Sequence, residues 1–216
     1  MSSRRIADCF AESLAPEFYA ALLRHIVKAN RGANRICGQF EIPERSDVFG
    51  HVERALVQKN LKSLPQEIQG IVVTNRKNSA KTSNYVEVRA GRLIMTASAV
   101  ESPGQMPRMA QFRNSLTIEG QATLRFYGEP PETGDLPPGI HAIATHCTDR
   151  KGALADVCIV VPNSTGKRSL FSKKLTEGLP SAIEEVNEQE KLAPVEEIPE
   201  LTMELWAASV SKNSAK

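Results

Sequence analysis

The amino-acid sequence predicts an α+β protein in which two N-terminal helices pack on a mainly antiparallel β-sheet. Apolar residues recur at helical spacing in the first third of the chain. After residue 70 this helical pattern gives way to short β-branched runs bounded by Gly and Pro, which are typical of strands. The composition, 41% hydrophobic and 24% charged residues, is typical of a globular protein with a packed core.

Two helices are predicted before Pro65. The first begins at Pro16, whose fixed backbone suits the first helical position, and ends at Asn30-Arg31-Gly32. The second begins after Ser46, which acts as its N-cap. The apolar stripe of the first helix recurs at a spacing of four, through Phe18, Leu22 and Ile26.

Strand-like segments follow the helices. The sequence YVEVRAGRLIMTASAV (85–100) predicts a hairpin with a type I turn centred on Arg89-Ala90 and a left-handed bulge residue at Gly91. The other predicted strands are GIVVT (70–74), QATLRFY (121–127), and the antiparallel pair GIHAIATH (139–146) and DVCIVVP (156–162).

The chain is predicted to divide at Leu175. Residues 1–175 form the α+β domain, interrupted by Pro- and Gly-rich loops at 101–115 and 128–139. Residues 176–216 form an acidic C-terminal arm, punctuated by proline, that ends in a short amphipathic helix.

The cysteines and the hydropathy pattern indicate a cytoplasmic protein. Cys9, Cys37, Cys147 and Cys158 form no C-x-x-C pair, so we expect reduced thiols. The N-terminus has no apolar segment of signal-peptide length, and no apolar run approaches the length of a membrane span. We therefore expect no membrane association.

The segment 139–162 raises the question of a metal site, because it holds two His and two Cys. Side chains alternate between the faces of a strand, so His141 and His146 point to opposite sides. His141 and Cys147 share a face but lie about 20 Å apart, too far to bind one zinc ion. The sequence predicts neither a metal ion nor a cofactor.

One pair in this segment has catalytic potential. A turn centred on Lys151 places His146 opposite Asp156, and a carboxylate beside a histidine is the arrangement of a general base. The alternative interpretation is a surface ion pair near the turn. A nucleophile or an electrophilic group, which catalysis also needs, cannot be assigned.

Charge is segregated along the chain. Residues 71–128 contain eight basic and three acidic side chains, whereas residues 175–205 contain nine acids and one lysine. If the basic loops lie at one end of the sheet, they form a surface that contacts an acidic partner; the alternative is a solvated basic face. The predicted partner-binding residues in this surface are Arg76, Lys77, Lys81, Arg89, Arg92, Lys167 and Arg168.

Three functions remain open from the sequence. The leading one is a non-enzymatic regulatory module that binds an acidic partner, nucleic acid or protein, through these loops. Its C-terminal arm, with Leu201, Leu205 and Trp206, either engages a protein partner or masks the basic surface; a purely solvating arm is the other reading. The second is a nuclease-like or other phosphodiester-processing enzyme that uses His146 and Asp156. The third is an assembly subunit that self-associates through the arm.

Overall fold

The computed structural model describes residues 3–78, 84–108, 110–125, 139–149 and 151–192. These residues form six α-helices and six β-strands, with a 3-10 turn at Thr176–Gly178. The helices are α1 (Ser3–Ser13), α2 (Pro16–Cys37), α3 (Ile42–Leu61), α4 (Leu64–Glu67), α5 (Gln111–Arg125) and α6 (Leu179–Leu192). The strands are β1 (Ile71–Lys77), β2 (Asn84–Ala90), β3 (Leu93–Ala99), β4 (Ile140–Thr148), β5 (Leu154–Pro162) and β6 (Ser169–Lys174).

The strands form one mixed sheet in chain order, β1-β2-β3-β4-β5-β6, and the α+β class is confirmed. Every neighbouring pair is antiparallel except β3 and β4, which are parallel. A parallel pair requires a crossover connection, and α5 lies within it. The carboxyl ends of β3 and β4 therefore meet at one end of the sheet, and β1 also finishes there.

The main core lies on the sheet face that carries α1, α2, α3 and α6. Alternate residues of β4 and β5 enter it, including Ile140, Ala142 and Ile159, and they belong to the same buried cluster as Phe18 and Leu22 of α2. On the opposite face, α5 packs on β4, and Thr117 contacts His141 there. Both faces of the central strands are thus covered, which explains why β4 is buried along almost its whole length.

The first predicted helix is longer than the sequence indicates. It continues through Asn30-Arg31-Gly32 to Cys37, because these residues serve packing rather than termination. A side chain at Gly32 would lie 3.0 Å from Leu56 Cδ1, so glycine permits the close approach of α3. The second predicted helix begins earlier than Ser46, at Ile42, and α1 was not predicted.

Three predicted details of the strands are corrected. The segment 121–127 was predicted as a strand, but residues up to Arg125 belong to α5. The hairpin of β2 and β3 is present, but its turn is a two-residue connection, Gly91-Arg92, between the paired residues Ala90 and Leu93. Gly91 has φ of 51°, the left-handed region that glycine adopts readily. In β4 and β5 the register differs by one residue from the predicted one, as described below.

The first part of the predicted C-terminal arm packs on the body. Residues 176–192 form the 3-10 turn and α6, and Leu179, Ala182 and Val186 are buried in the main core. Arg24 and Arg31 of α2 pair with carboxylates of α6. The rest of the arm, including Leu201, Leu205 and Trp206, lies outside the described residues.

Candidate functional site: a basic cleft at the end of the sheet

A cleft of about 450 Å³ opens where β3 and β4 end. The carboxyl end of β3 and His146 of β4 lie at its base. One wall is α3; the other is the loop before α5 together with the first turn of α5. The carboxyl ends of neighbouring parallel strands are a recurrent position for ligand sites in α/β sheets, because the loops there diverge. The polar and aromatic side chains that line the cleft include Arg54, Ser98, Arg108, Phe112, Arg113 and His146.

Arg113 is the most constrained of the cleft arginines. Its Nη1 donates to the carbonyl oxygen of Arg108 at 2.7 Å, and its Nη2 donates to Ser98 Oγ at 3.0 Å. Its Nε is buried and has no hydrogen-bond partner within the described part of the chain. Burial, with a smaller contribution from the charge of Arg54, lowers the pKa of Arg113 to about 10, so the guanidinium remains charged at neutral pH.

The cleft arginines have no carboxylate partner of their own. Among the described residues no ion pair joins a carboxylate to Arg54, Arg108 or Arg113, and Glu53, the carboxylate beside the cleft, is paired with His146. The N-terminus of the 15-residue α5, at the same wall, adds the positive end of a helix dipole. The arrangement is suited to binding an anion.

A buried polar group adjoins the cleft at His146. This side chain is 2% exposed, and its Nε2 lies 3.6 Å from Oε2 of Glu53, which is 3% exposed. Asn30 Nδ2 donates to the other carboxylate oxygen of Glu53 at 2.9 Å. Burial raises the pKa of Glu53, but the interactions with His146 and Asn30 outweigh it, so the pKa lies below its ordinary value.

The predicted pairing of His146 with Asp156 is not present. Thr148 pairs with Leu154, as a turn centred on Lys151 requires, but an irregularity between Cys147 and Thr148 then shifts the register by one residue. His146 consequently pairs with Val157, and Asp156 pairs with Cys147. Residues directly opposite each other share a face, so His146 and Asp156 lie on opposite faces of the sheet.

Asp156 instead fixes the chain after β6. Its carboxylate accepts a hydrogen bond from Thr176 Oγ1 and one from Cys158 Sγ at 3.3 Å. Asp156 is buried and lies outside the cleft lining, so its contacts are structural. The carboxylate beside His146 comes from α3, a helix that no local sequence pattern connects with β4.

The predicted basic residues do not form one surface. Arg76 and Lys77 lie at the end of β1, on the same end of the sheet as the cleft. Arg92 and the turn that carries Lys167 and Arg168 lie at the opposite end. β1 and β6 are also the two edges of the sheet, about 24 Å apart at about 4.8 Å per strand.

Two further members of the predicted set are accounted for. Arg89 is bound to Glu87, with Nη2 at 3.1 Å from Oε2, and Arg76 Nε lies 3.5 Å from the same oxygen. Both charges are therefore partly neutralised. Lys81 lies outside the described residues.

Arg54, Arg108, Arg113 and Glu53 were not among the site residues predicted from the sequence. Arg108 and Arg113 belong to the basic region 71–128, and their position directly after a predicted strand was the available signal. Arg54 and Glu53 gave no signal, because only the packing of α3 beside β3 and β4 brings them to the cleft.

Metal-binding clusters are absent from the part of the chain that the structure describes: it contains no group of three or more His, Cys, Asp or Glu side chains suited to a metal ion. All four cysteines are free and buried. None of the helices in the described ranges has the length and apolar character that crossing a membrane requires.

No protein-family model matches this chain, and neither a curated protein nor a solved structure shows significant similarity to it.

Proposed function

We propose that this protein is a binding module for nucleic acid and that it contacts the phosphates of its partner at the basic cleft. The observation that carries the proposal is the group formed by Arg54, Arg108 and Arg113, three arginines around one cleft without a carboxylate partner among the described residues. Nucleic acid is the partner whose repeated charge such a group suits. The proposal keeps the function predicted from the sequence and moves its centre from the hairpin loops to the cleft.

Residues beside the cleft support an extended contact. Lys77 is exposed at the end of β1, next to Asn78, which lines the cleft. A polyanion that enters the cleft can therefore continue toward the edge of the sheet and neutralise a further charge. The basic residues at the other end of the sheet, Arg92, Lys167 and Arg168, have no part in this contact.

The C-terminal arm regulates this surface in the same proposal. The segment 193–216 contains four glutamates and the apolar residues Leu201, Leu205 and Trp206. It either engages a protein partner or competes with nucleic acid for the basic cleft. The appropriate truncation ends at Leu192 rather than at Leu175, because Leu179, Ala182 and Val186 contribute to the core.

The test is a binding titration with mixed-sequence single-stranded RNA and DNA at about 50 to about 200 mM salt. The double variant Arg54→Gln/Arg108→Gln removes two charges from the cleft. Its matched control, Lys167→Gln/Arg168→Gln, removes two exposed charges at the opposite end of the sheet. We expect the cleft variant to bind at least about tenfold more weakly and its salt slope to fall by roughly 1.4, since each phosphate contact contributes about 0.7.

The control should retain the affinity and slope of the wild type, and the chain ending at Leu192 should bind at least as tightly as the full chain. Equal losses in the two double variants, or no salt-sensitive binding by any of these proteins, would contradict the proposal. Tighter binding after truncation at Leu192 would assign the arm to masking. An unchanged affinity would exclude masking by the arm.

A second candidate function, phosphodiester processing, is favoured by one observation: His146 lines the same cleft and is backed by Glu53 rather than by Asp156. A carboxylate beside an imidazole favours its action as a general base, which is worth about 10² to 10⁴ in rate. Both ring nitrogens of His146 are buried, so the ring must turn toward the cleft before it can accept a proton. Cleavage of RNA or DNA that is lost in His146→Gln would support this function, whereas no cleavage by the wild type, or an unchanged rate in the variant, would exclude it.

A further inference from the structure

The shape of the basic cleft restricts what part of a nucleic acid can enter it. Its volume of about 450 Å³ lies in the range of small-molecule sites, about 300 to 1,000 Å³. Duplex phosphates are presented along the outside of a wide helix, whereas a single strand or a free nucleotide can insert one unit into a concave site. The cleft therefore accommodates one nucleotide rather than a length of duplex.

The phosphate position within the cleft is defined by Arg113. Its Nη1 and Nη2 are occupied by Arg108 O and Ser98 Oγ, so the guanidinium is held in one orientation. Its Nε remains without a partner in the described structure, as does Nδ1 of the almost fully buried His146 at the base of the same cleft. A buried donor without a partner is costly, and because Arg113 Nε has almost no exposed surface, the side chain must shift before an anion oxygen can satisfy it.

An aromatic surface lies beside this position. Phe112 lines the cleft and stacks on Tyr85, with ring centroids 3.9 Å apart and an angle of 19° between the ring planes. The guanidinium carbon of Arg113 lies 5.2 Å from the centroid of the Phe112 ring. Aromatic rings next to basic side chains are the platforms on which unpaired bases stack. Tyr85 covers one face of Phe112, so a base would be received on the side of the ring that adjoins Arg113.

We infer that the cleft is a nucleotide-binding site, with the phosphate at Arg113, between Arg54 and Arg108, and the base against Phe112. The inference deepens the proposed function, on which it rests, by naming a single-stranded or free nucleotide as the ligand. A free mononucleotide and one unit of a single strand present the same phosphate and base to the cleft. The experiment below distinguishes these two sources.

The first part of the experiment is calorimetric titration of the full chain with adenosine 5′-monophosphate, adenosine and inorganic phosphate. We expect the nucleotide to bind at least about tenfold more tightly than either fragment, because only it occupies both the arginines and the aromatic surface. Arg113→Gln should lower nucleotide affinity at least about tenfold, whereas the control Arg168→Gln should not change it. Phe112→Leu should lower it about five- to hundredfold, the range measured for base stacking, while Phe112→Tyr, which keeps the ring, should retain binding.

The second part compares a single-stranded oligonucleotide with the duplex of the same sequence, using the nucleotide as a competitor. Tighter binding of the single strand, with displacement by the nucleotide, assigns the site to single strands. Binding of the nucleotide alone assigns it to a free mononucleotide and contradicts the proposed function. If Arg113→Gln or Phe112→Leu fails to fold, Arg54→Gln/Arg108→Gln, at exposed positions, provides the test.

Two outcomes would overturn the inference. Equal affinities for the duplex and the single strand, both dependent on Arg54 and Arg108, would contradict the inference of a nucleotide site. This result would leave the proposed function intact. Absence of binding by the nucleotide, the single strand and the duplex would contradict both.

Discussion

Glu53 is a buried carboxylate whose charge is compensated by Asn30 on one side and His146 on the other. A buried charge that loses its partners is strongly destabilising, so this group links α2, α3 and β4 as a unit. Asn30 Nδ2 also lies 3.2 Å from the carbonyl oxygen of Gly152, which ties the same unit to the turn before β5. The position of His146 at the base of the basic cleft therefore depends on the buried contacts of Glu53 and Asn30.

The substitution Glu53→Gln tests this role. We expect it to lower the free energy of unfolding at pH 7 by about 1 to 3 kcal/mol, because the neutral amide cannot replace the charged interactions. The folded-state pKa of Glu53 is lowered, so its stabilisation is present above pH 4.5 and is lost as the pH falls through the folded pKa. The difference between wild type and variant, measured by urea unfolding, should therefore narrow below about pH 4.5.

The control for that measurement is Glu44→Gln, at an exposed position on the same helix, which should change stability by less than about 0.5 kcal/mol. Equal effects of the two substitutions, or a difference that stays constant down to pH 3, would contradict the assigned role of Glu53.

His141 is a second buried titratable residue, on the opposite face of the sheet. Its Nε2 and Nδ1 lie 3.1 Å from the hydroxyls of Thr96 and Thr117, and burial, with a smaller effect from Arg113, lowers its pKa to about 3. The unfolded chain binds a proton at this residue below its ordinary pKa of about 6.5, whereas the folded chain does not. Stability is therefore complete above about pH 6.5 and is lost as the pH falls toward 3.

Between pH 6.5 and pH 5 the contribution of His141 to this loss is about 2 kcal/mol, at about 1.4 kcal/mol per pH unit. Urea unfolding of His141→Gln should show a correspondingly smaller pH dependence over this interval. His51→Gln, at an exposed position on α3, serves as the control and should keep the wild-type dependence. If the free energy of unfolding of His141→Gln falls between pH 6.5 and pH 5 as steeply as that of the wild type, the fold does not keep His141 neutral.

At the scale of elements, α6 packs an acidic segment of the sequence against the α+β domain. Its buried residues, Leu179, Ala182 and Val186, recur at helical spacing and face α2, while Glu185 and Glu190 pair with arginines of α2. These ion pairs are exposed and each contributes about 0 to 1 kcal/mol, so the apolar contacts dominate the docking of α6. The acidic composition of the segment reflects its solvent-facing side.

The substitution Val186→Ala measures this docking. Val186 is 1% exposed, and we expect its truncation to lower the free energy of unfolding by about 1 to 3 kcal/mol. Glu188→Ala, at a position on α6 whose side chain is 69% exposed, is the matched control and should stay within about 0.5 kcal/mol. If thermal unfolding finds no difference between the two variants, α6 does not contribute to the core as described.

The elements that sequence reasoning predicted are those with a complete local pattern. β2, β3, β4 and β5 are rich in β-branched and apolar residues and are bounded by Gly, Pro or polar turn residues, and these runs are visible in the sequence itself. In α5, by contrast, Leu116 and Thr117 are the buried residues among its described side chains. The sequence therefore contains no repeating apolar stripe that would predict this helix. Asn30 and Gly32 resemble a helix stop, but their role is packing against α3, which no local pattern records.

The candidate site was less predictable than the fold, for a geometrical reason. His146 was identified as a site residue, but an irregularity of one residue in the β4–β5 ladder separates it from Asp156. The charges of the basic cleft come from α3, the loop after β3 and the start of α5, and they meet only through the parallel crossover and the packing of α3 beside the sheet. Sequence spacing alone does not contain that information.

At the scale of the whole molecule, charge is arranged along the strand direction of the sheet. The basic cleft and Lys77 lie at the end where β1, β3 and β4 finish, and Lys167 and Arg168 lie at the other. This separation allows two charges to be removed at either end, so electrostatic attraction by the whole chain can be distinguished from recognition at the cleft. The central claim is that recognition occurs at the cleft.

The most direct measurement is NMR observation of the arginine Nε–Hε groups during titration with a single-stranded oligonucleotide, with signals assigned by single Arg→Lys substitutions. We expect the Arg113 signal to shift strongly, because its Nε acquires a hydrogen-bond acceptor. The signal of Arg168, at the opposite end of the sheet, should remain unchanged. A titration in which Arg168 shifts and Arg113 does not would contradict the assignment of the basic cleft as the binding site.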